Sequence, residues 1–185
     1  MKRLKTYSLD YIKMNKALHE APKGFGGGGA RHAIDVAALG NQIEAESLLD
    51  YGAGQQKLSE ALKKDHPDVF RSIVDFDPAI EAISSRPKPA DVVACTDVLE
   101  HIEPEYIENV LADLAQLAKK ALYLEIATRP ANKTLPDGRN AHLTVQGKEW
   151  WVDRLSKYWN KMSVREIRNP GKTPDLRSII VTVFI

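Results

Sequence analysis

Residues 47–54 restrict the possible folds of this chain more than any other segment does. They read Ser-Leu-Leu-Asp-Tyr-Gly-Ala-Gly, so a buried strand would end at Asp50 and the following turn would contain Gly52 and Gly54. A helical pattern begins directly after it, at residue 55. This succession of strand, glycine turn and helix lets the backbone approach a nucleotide-like ligand without side-chain collision. The segment therefore predicts a ligand-binding edge of an α/β sheet.

Apolar runs and helical patterns alternate along the rest of the chain. Strands are predicted at residues 72–76, 91–96, 121–127 and 178–185, with a partner for the last one at 164–168. Helices are predicted at residues 33–46, 55–65 and 147–159, and from Pro104 to Lys119-Lys120. This order predicts an α/β protein, a Rossmann-like three-layer sandwich whose mostly parallel sheet has an antiparallel C-terminal edge strand.

The N-terminal part, residues 1–32, is interpreted as an extension with a glycine-rich loop, ahead of a domain at residues 33–185. Residues 1–23 are polar with scattered aromatic residues, and no helix or strand is assigned to them. The glycine run at residues 24–29 is costly to order. It is interpreted as a linker, with a lid hinge or a loop near the ligand as the alternative.

Composition restricts the setting and the partners of the protein. The 185 residues suit one domain, and a net charge of +1 disfavours nucleic acid as a partner. The single cysteine, Cys95, and the lack of a long apolar run predict a cytoplasmic protein without a membrane partner. The sequence leaves the oligomeric state open.

Each predicted strand ends in polar residues, at Asp50, Asp75, Thr96-Asp97 and Thr128-Arg129. The carboxyl ends of parallel strands lie at the same edge of a sheet, where ligands of such folds bind. A carboxylate such as that of Asp75 can accept hydrogen bonds from both hydroxyls of a ribose. The pattern therefore predicts a cofactor that contains adenosine.

At this point the chain resembles the class I S-adenosylmethionine (SAM)-dependent methyltransferases, of the type 11/12-like kind, over residues 33–185. The resemblance is carried by Asp50-Tyr51-Gly52-Ala53-Gly54, by Asp75-Phe76-Asp77-Pro78 and by Val93-Ala94-Cys95-Thr96-Asp97-Val98-Leu99-Glu100-His101. Two departures are visible. Gln56 stands where many relatives have a third glycine, and only fifteen residues separate Asp75 from Asp91, so the usual intervening strand and helix must be shortened or absent.

The resemblance implies SAM as the cofactor and a role for each matching residue. The segment from Asp50 through Tyr51, Gly52 and Ala53 to Gly54 would face the methionine part. Asp75 would hold the ribose and Phe76 would lie on the adenine, while Thr96 and Asp97 would lie beside the methionine and the incoming substrate. The competing cofactor is NAD(P), but Lys57 occupies the third glycine position of its fingerprint.

His101 and His142 are the candidate general bases, because an imidazole titrates near neutral pH, and Asp97 is placed with them as a catalytic residue. No metal ligand is assigned. A divalent metal is nevertheless an alternative, since Asp97-x-x-Glu100-His101 with His142 resembles the metal site of certain O-methyltransferases, among them small-RNA 2′-O-methyltransferases.

The predicted function is methyl transfer from SAM to an oxygen or nitrogen of a small molecule or a glycan intermediate. Two alternatives remain open. One is a metal-assisted 2′-O-methyltransferase that acts on RNA, and the other is a SAM-binding subunit without catalysis.

Overall fold

The computed structural model describes residues 4–20, 26–170 and 175–185, which fold around one six-stranded sheet. In chain order the strands are β1 (Ser47–Tyr51), β2 (Ser72–Phe76), β3 (Ala90–Thr96), β4 (Ala118–Ala127), β5 (Met162–Arg168) and β6 (Leu176–Phe184). Their order across the sheet is β2-β1-β3-β4-β6-β5. The first four strands are parallel, and β6 is antiparallel to both of its neighbours. The predicted, mostly parallel sheet with an antiparallel C-terminal edge is thus confirmed.

Helices cover both faces of the sheet. They are α1 (Leu9–His19), α2 (Ala33–Gln42), α3 (Lys57–Asp65), α4 (Ile107–Leu117) and α5 (Lys148–Leu155). The apolar sides of α2 and α3 form one core with the sheet, and those of α4 and α5 form the other. Within the described ranges, every helix is too short or too polar to cross a membrane.

The helix predicted from Pro104 to Lys119-Lys120 is shorter in the structure than its sequence pattern indicates. Residues Pro104–Tyr106 form a single 3-10 turn, and α4 then ends at Leu117. The two lysines that were expected at its C-terminal end, Lys119 and Lys120, instead belong to β4. The Lys120 ammonium lies 3.6 Å from the carboxylate of Asp91 on the neighbouring strand β3, a tertiary contact that the local pattern does not show.

The N-terminal helix α1 was not predicted, and its start is hydrogen-bonded to the segment that leads into α4. Its N-cap Ser8 donates hydrogen bonds from its backbone N–H and its hydroxyl to the two carboxylate oxygens of Glu103, at 2.8 and 2.7 Å. The side chain of Asn109 on α4 donates to the carbonyl oxygen of Lys5 at 2.7 Å. The start of α1 is therefore tied to the segment that leads into α4.

The connection from β2 to β3 is short, as the sequence predicts. One 3-10 turn at Glu81–Ile83 is the only helical segment in residues 77–89, all of which the structure describes, and no strand lies there. As a result, β2 forms an edge of the sheet.

Candidate active site

A cavity of about 540 Å³ opens at the carboxyl ends of the parallel strands, within the usual size range of small-ligand sites. It is lined by residues that follow β1, β2, β3 and β4 in the chain, together with Gly26–Gly29 and one face of α1. The topology explains this position, since parallel strands direct their C-terminal loops to one edge.

The predicted glycine turn forms one wall of this cavity, with all of Asp50, Tyr51, Gly52, Ala53 and Gly54 along it. Gly52 and Gly54 adopt positive φ angles of 81° and 50°, which other L-residues adopt only at a cost. A Cβ atom on Gly54 would lie 2.8 Å from the carbonyl oxygen of Gly26. A Cβ atom on Gly52 would lie 2.4 Å from a methyl carbon of Val98, so both glycines are favoured by backbone conformation and by close approach.

The described part of the N-terminal glycine run, Gly26–Gly29, lines the same cavity, while Gly24 and Phe25 lie outside the described residues. The backbone N–H of Gln55 donates to the carbonyl oxygen of Gly26 at 3.2 Å. The run thus lies directly against the turn after β1, as the alternative interpretation of a loop near the ligand requires.

The residues predicted to contact the ribose and the adenine, Asp75 and Phe76, do not line the cavity. Asp75 turns toward α3, where its Oδ2 accepts a hydrogen bond from the Ser59 hydroxyl at 3.1 Å. Phe76 packs in the core, with its ring centroid 5.2 Å from that of Tyr51. The acidic residue that does line the cavity after β2 is Asp77.

Asp77 is held in position by backbone groups on both sides. Its Oδ2 accepts a hydrogen bond from the N–H of Gly54 at 3.1 Å, and its Oδ1 accepts one from Ala79 at 2.9 Å. Nε2 of His19 on α1 lies 3.8 Å from the same Oδ2. Sequence reasoning missed this residue, although an acid directly before Pro78 was the available signal.

Asp50, at the start of the glycine turn, is almost fully buried. Desolvation, together with the negative charges of Asp75 and Asp77, raises the pKa of its carboxyl to about 8. At neutral pH this carboxyl is mostly protonated, and a positively charged group brought into the cavity would favour its ionised form.

Arg31 links two acidic side chains of the cavity wall. Its guanidinium lies 2.5 Å from Oδ2 of Asp97 and 2.5 Å from Oε2 of Glu125. Nε2 of His32 is 3.0 Å from that same Glu125 oxygen. Burial alone would raise the pKa of Glu125, but the His32 hydrogen bond and the Arg31 charge outweigh it and lower the pKa to about 2.

Asp97, predicted to be catalytic, follows β3 directly and adopts a positive φ of 55°. Burial and the charge of Glu125 raise its pKa, against the opposing effect of Arg31. Thr96, the last residue of β3, also lines the cavity. Sequence reasoning missed both Arg31 and Glu125, because only the tertiary fold brings them to this wall.

The two predicted histidines meet in the cavity. Nδ1 of His101 lies 2.7 Å from the carbonyl oxygen of Ala141, and Nδ1 of His142 lies 2.6 Å from that of Arg129. Because a carbonyl oxygen can only accept, each Nδ1 carries the proton, and the lone pair of each neutral ring is on Nε2.

Burial keeps both rings neutral. Desolvation and the neighbouring His142 lower the pKa of His101 to about 3. Desolvation also lowers the pKa of His142, although its hydrogen bond to the Arg129 carbonyl acts in the opposite direction. His142 is the more exposed of the two and is therefore better placed to take up a proton.

Glu100 lies next to these rings and is fully buried. Its Oε1 accepts a hydrogen bond from the N–H of Ala127 at 3.1 Å, whereas its Oε2 has no partner. One ligand atom from each of Glu100, His101 and His142 lies within 4.8 Å of the others. Two imidazole nitrogens and an unpartnered carboxylate oxygen fit a divalent cation. Asp97 is not in this cluster, and its carboxylate accepts a hydrogen bond from Arg31 instead.

A Rossmann-like sheet with a glycine turn and polar strand ends around one cavity is typical of proteins that bind a nucleotide-containing cofactor. Residues 26–172 match the family model described as a methyltransferase domain. This match covers more than half of the chain, so the chain belongs to that family and is a SAM-dependent methyltransferase.

Solved structures share the fold at low sequence identity. The methyltransferase domain of bacterial CtHen1 is 14% identical with a TM-score of 0.63, and the match covers 84% of this chain and 100% of that one. An O-methyltransferase family protein from Burkholderia thailandensis is 16% identical with a TM-score of 0.52, covering 84% and 56%. The N-terminal domain of EvdMO1, solved with S-adenosylhomocysteine (SAH) and D-fucose, is 14% identical with a TM-score of 0.55, covering 87% and 84%. Among curated proteins, no sequence matches this chain.

Proposed function

We propose that this methyltransferase transfers the methyl group of SAM to an oxygen or nitrogen of a small molecule, which includes glycan intermediates. The observation that carries the proposal is the pair His101 and His142, which lies in the same cavity as the glycine turn. A cofactor on the turn and an acceptor at the histidines would therefore share one cavity.

The cofactor roles are proposed residue by residue. The walls formed by Asp50–Gly54 and by Thr96 and Asp97 would hold the methionine part of SAM, as the sequence resemblance implies. We assign the ribose to Asp77 in place of Asp75, because Asp77 lines the cavity and Asp75 does not. A carboxylate oriented by two backbone N–H groups keeps lone pairs for the ribose hydroxyls.

Methyl transfer from a sulfonium is a displacement in which the enzyme mainly positions the acceptor and removes its proton. The neutral ring of His142 is proposed as the general base, since its Nε2 holds the lone pair. His101, the more buried of the two histidines, would hold the ring of His142 in position. Arg129, Lys133 and Arg177 also line the cavity, so hydroxyl-rich or anionic acceptors are favoured.

A second candidate, metal-assisted methyl transfer, is favoured by the unpartnered Oε2 of Glu100. Glu100, His101 and His142 would hold the ion. A bound divalent cation supplies a Lewis acid that orients and acidifies an acceptor hydroxyl. Metal-assisted transfer suits acceptors that carry two neighbouring oxygens. The end of an RNA chain is an acceptor of this kind.

The test has two stages. Calorimetry with SAM and with NADPH checks the cofactor first. Tritiated SAM is then incubated with panels of hydroxylated and aminated small molecules, sugar nucleotides and short RNAs, each with Mg²⁺, Mn²⁺ or EDTA. Label in a small molecule supports the proposal, and its loss in EDTA supports the metal candidate. Label in RNA alone, or SAM binding without any transfer, would overturn the small-molecule proposal.

A further inference from the structure

The charged residues that line the cavity are divided into an acidic and a basic side. The acids lie in the parallel strands or directly after them, around the turn proposed to hold the cofactor: Asp50, Asp77, Asp97 and Glu125. Arg31 is the cation on this side, and it is paired with two of these acids. The remaining lysine and arginines come from the loop after β4 and from β6: Arg129, Lys133 and Arg177.

Arg129 lies beside the proposed base His142. Its carbonyl oxygen accepts the hydrogen bond from Nδ1 of His142 at 2.6 Å, and the residue is half-buried at the cavity. Desolvation is the main cause that lowers the pKa of His142, and the positive charge of Arg129 acts in the same direction. The guanidinium is therefore close enough to the ring for its charge to act on it.

Backbone hydrogen bonds hold the other two cationic residues in the same region. The N–H of Thr128 donates to the carbonyl oxygen of Arg177 at 3.1 Å, so Arg177 lies across from the start of the loop after β4. The N–H of Ala141 donates to the carbonyl oxygen of Lys133 at 3.0 Å, and Ala141 directly precedes the proposed base. The basic side of the cavity is thus built on the segments that carry and contact the histidine.

The two arginines of the basic side offer donors to a ligand. The Arg129 guanidinium donates one long hydrogen bond, of 3.4 Å, to the carbonyl oxygen of Pro130. Among the residues that the structure describes, no carboxylate forms an ion pair with Arg129 or Arg177. A guanidinium has five N–H donors in a planar fork that matches a carboxylate or a phosphate. An anionic ligand would therefore supply the charge partner that the protein does not.

The basic area is confined to the cavity. Arg139, the next arginine along the loop, is paired with Asp137 at 2.8 Å and does not line the cavity. A polynucleotide would need cations along its path outside the cavity, so this arrangement favours a small anion. SAM, whose sulfonium and ammonium groups outweigh its one carboxylate, carries the opposite charge and suits the acidic side.

We propose that the methyl acceptor is a small molecule with a carboxylate or phosphate group, and that Arg129 and Arg177 bind this group beside the histidine pair. The inference rests on the proposed function, which places the acceptor at His101 and His142.

The first test measures binding to the full chain saturated with SAH, by NMR titration with benzamide, benzoate and phenyl phosphate. At least one of the two anions should bind at least about tenfold more tightly than the neutral benzamide, because hydrogen bonds to charged groups are stronger than neutral ones. Comparison of the two anions separates a carboxylate site from a phosphate site. Arg129→Gln and Arg177→Gln should each reduce this preference at least about threefold. Arg139→Gln, outside the cavity on the same loop, should keep it.

Two results of the titration would overturn the proposal. One is equal or undetectable binding of the three ligands by the wild type, which needs no variant. The other is an unchanged preference in both arginine variants.

The second test measures methyl transfer from tritiated SAM to matched acceptors, namely 4-hydroxybenzamide and 4-hydroxybenzoate, glucose and glucose 6-phosphate, and a short RNA. The charged member of a pair should have at least about tenfold higher kcat/KM, and Arg129→Gln should remove this advantage through KM, since it leaves the carbonyl that holds His142. Higher activity on the neutral members or on RNA would contradict the inference.

The two tests separate this inference from the proposed function. Anion binding that depends on Arg129 and Arg177, without transfer to any acceptor, would leave the anion site standing and defeat the proposed function. Transfer to neutral small molecules alone would support the proposed function and defeat the inference.

Discussion

The imidazole rings of His101 and His142 stand edge to face, with their centroids 4.6 Å apart and their planes at 88°. Each ring is fixed by a backbone carbonyl, of Ala141 and Arg129 respectively. The sequence separates the two histidines by forty residues. Their contact shows that the loop after β4 folds back over the end of β3.

His142 is expected to be the residue on which turnover depends most. Replacing it with alanine removes the proposed base, and such groups contribute about 10²–10⁴-fold to rate. In His142→Ala we expect kcat to fall by that order with the acceptor found in the screen, while the Kd for SAH changes by less than about threefold. His66→Ala is the matched control, since His66 follows α3 and does not line the cavity. Unchanged kcat in His142→Ala would remove the residue from the mechanism.

Asp77 and Asp75 should differ sharply in their effect on cofactor binding. Hydrogen bonds to a charged group contribute about 1.5–3 kcal/mol, so Asp77→Asn should raise the Kd for SAH about 10- to 100-fold. Asp75→Asn makes the same chemical change two residues earlier and should alter the Kd by less than about twofold. Calorimetry measures both. The reverse result would show that Asp75 holds the ribose, as the sequence resemblance implies.

Asp50 should make stability fall as the pH rises. Its pKa is about 8 in the folded state against 3.8 ordinarily, so between these values the folded state binds a proton that the unfolded state does not. The free energy of unfolding should therefore decrease from about pH 4 to pH 8 and level off above, by at most about 1.4 kcal/mol per pH unit from this group.

Urea denaturation at pH 5, 6, 7 and 8 measures this slope. The isosteric variant Asp50→Asn cannot ionise and should show a flatter profile than the wild type over that range. Parallel profiles for the two proteins would mean that Asp50 is already ionised in the folded state.

Glu44 offers a gain in stability at a helix end. It follows α2 with a positive φ of 50°, and the N–H of Ala45 donates to the carbonyl oxygen of Gly40 at 2.9 Å, a termination that favours glycine. The left-handed conformation is about 1–2 kcal/mol unfavourable for a non-glycine residue. Glycine avoids this cost but loses more backbone entropy on folding, which offsets part of the gain.

Glu44→Gly should therefore raise the free energy of unfolding by about 0.5–1 kcal/mol in urea denaturation. Glu44→Ala keeps the Cβ atom and serves as the control, with no gain expected. Equal stability of the two variants would show that the conformation at residue 44 carries no strain.

Local sequence was sufficient for the framework of the site. Alternating apolar runs predicted the strands because burial on one or both sheet faces dictates the side-chain pattern, and β2 matches its predicted bounds of residues 72–76. The positive φ angles of Gly52 and Gly54 match the turn that two such glycines favour. Gln56, at the position where many relatives are expected to have a third glycine, also adopts a positive φ of 59°, a conformation that favours glycine.

The side chains that face the ligand were determined only in part by the sequence. The bounds of β2 were predicted correctly, but they do not decide which nearby acid reaches the cavity. Asp75 lies within the strand and turns toward α3, whereas Asp77 lies after it and lines the cavity. The helix α1 has no apolar periodicity that reveals it, and contacts of its N-cap with the distant Glu103 hold it in place.

The sequence by itself determined the sheet, the glycine turn and the class of cofactor, because these depend on short-range patterning and backbone conformation. Only the tertiary structure decided which carboxylate reaches the cavity, that Arg31 holds Asp97, and that α1 lines the cavity. These features depend on contacts between residues far apart in the chain, whose geometry is set by the packing of whole elements and not by their local sequence.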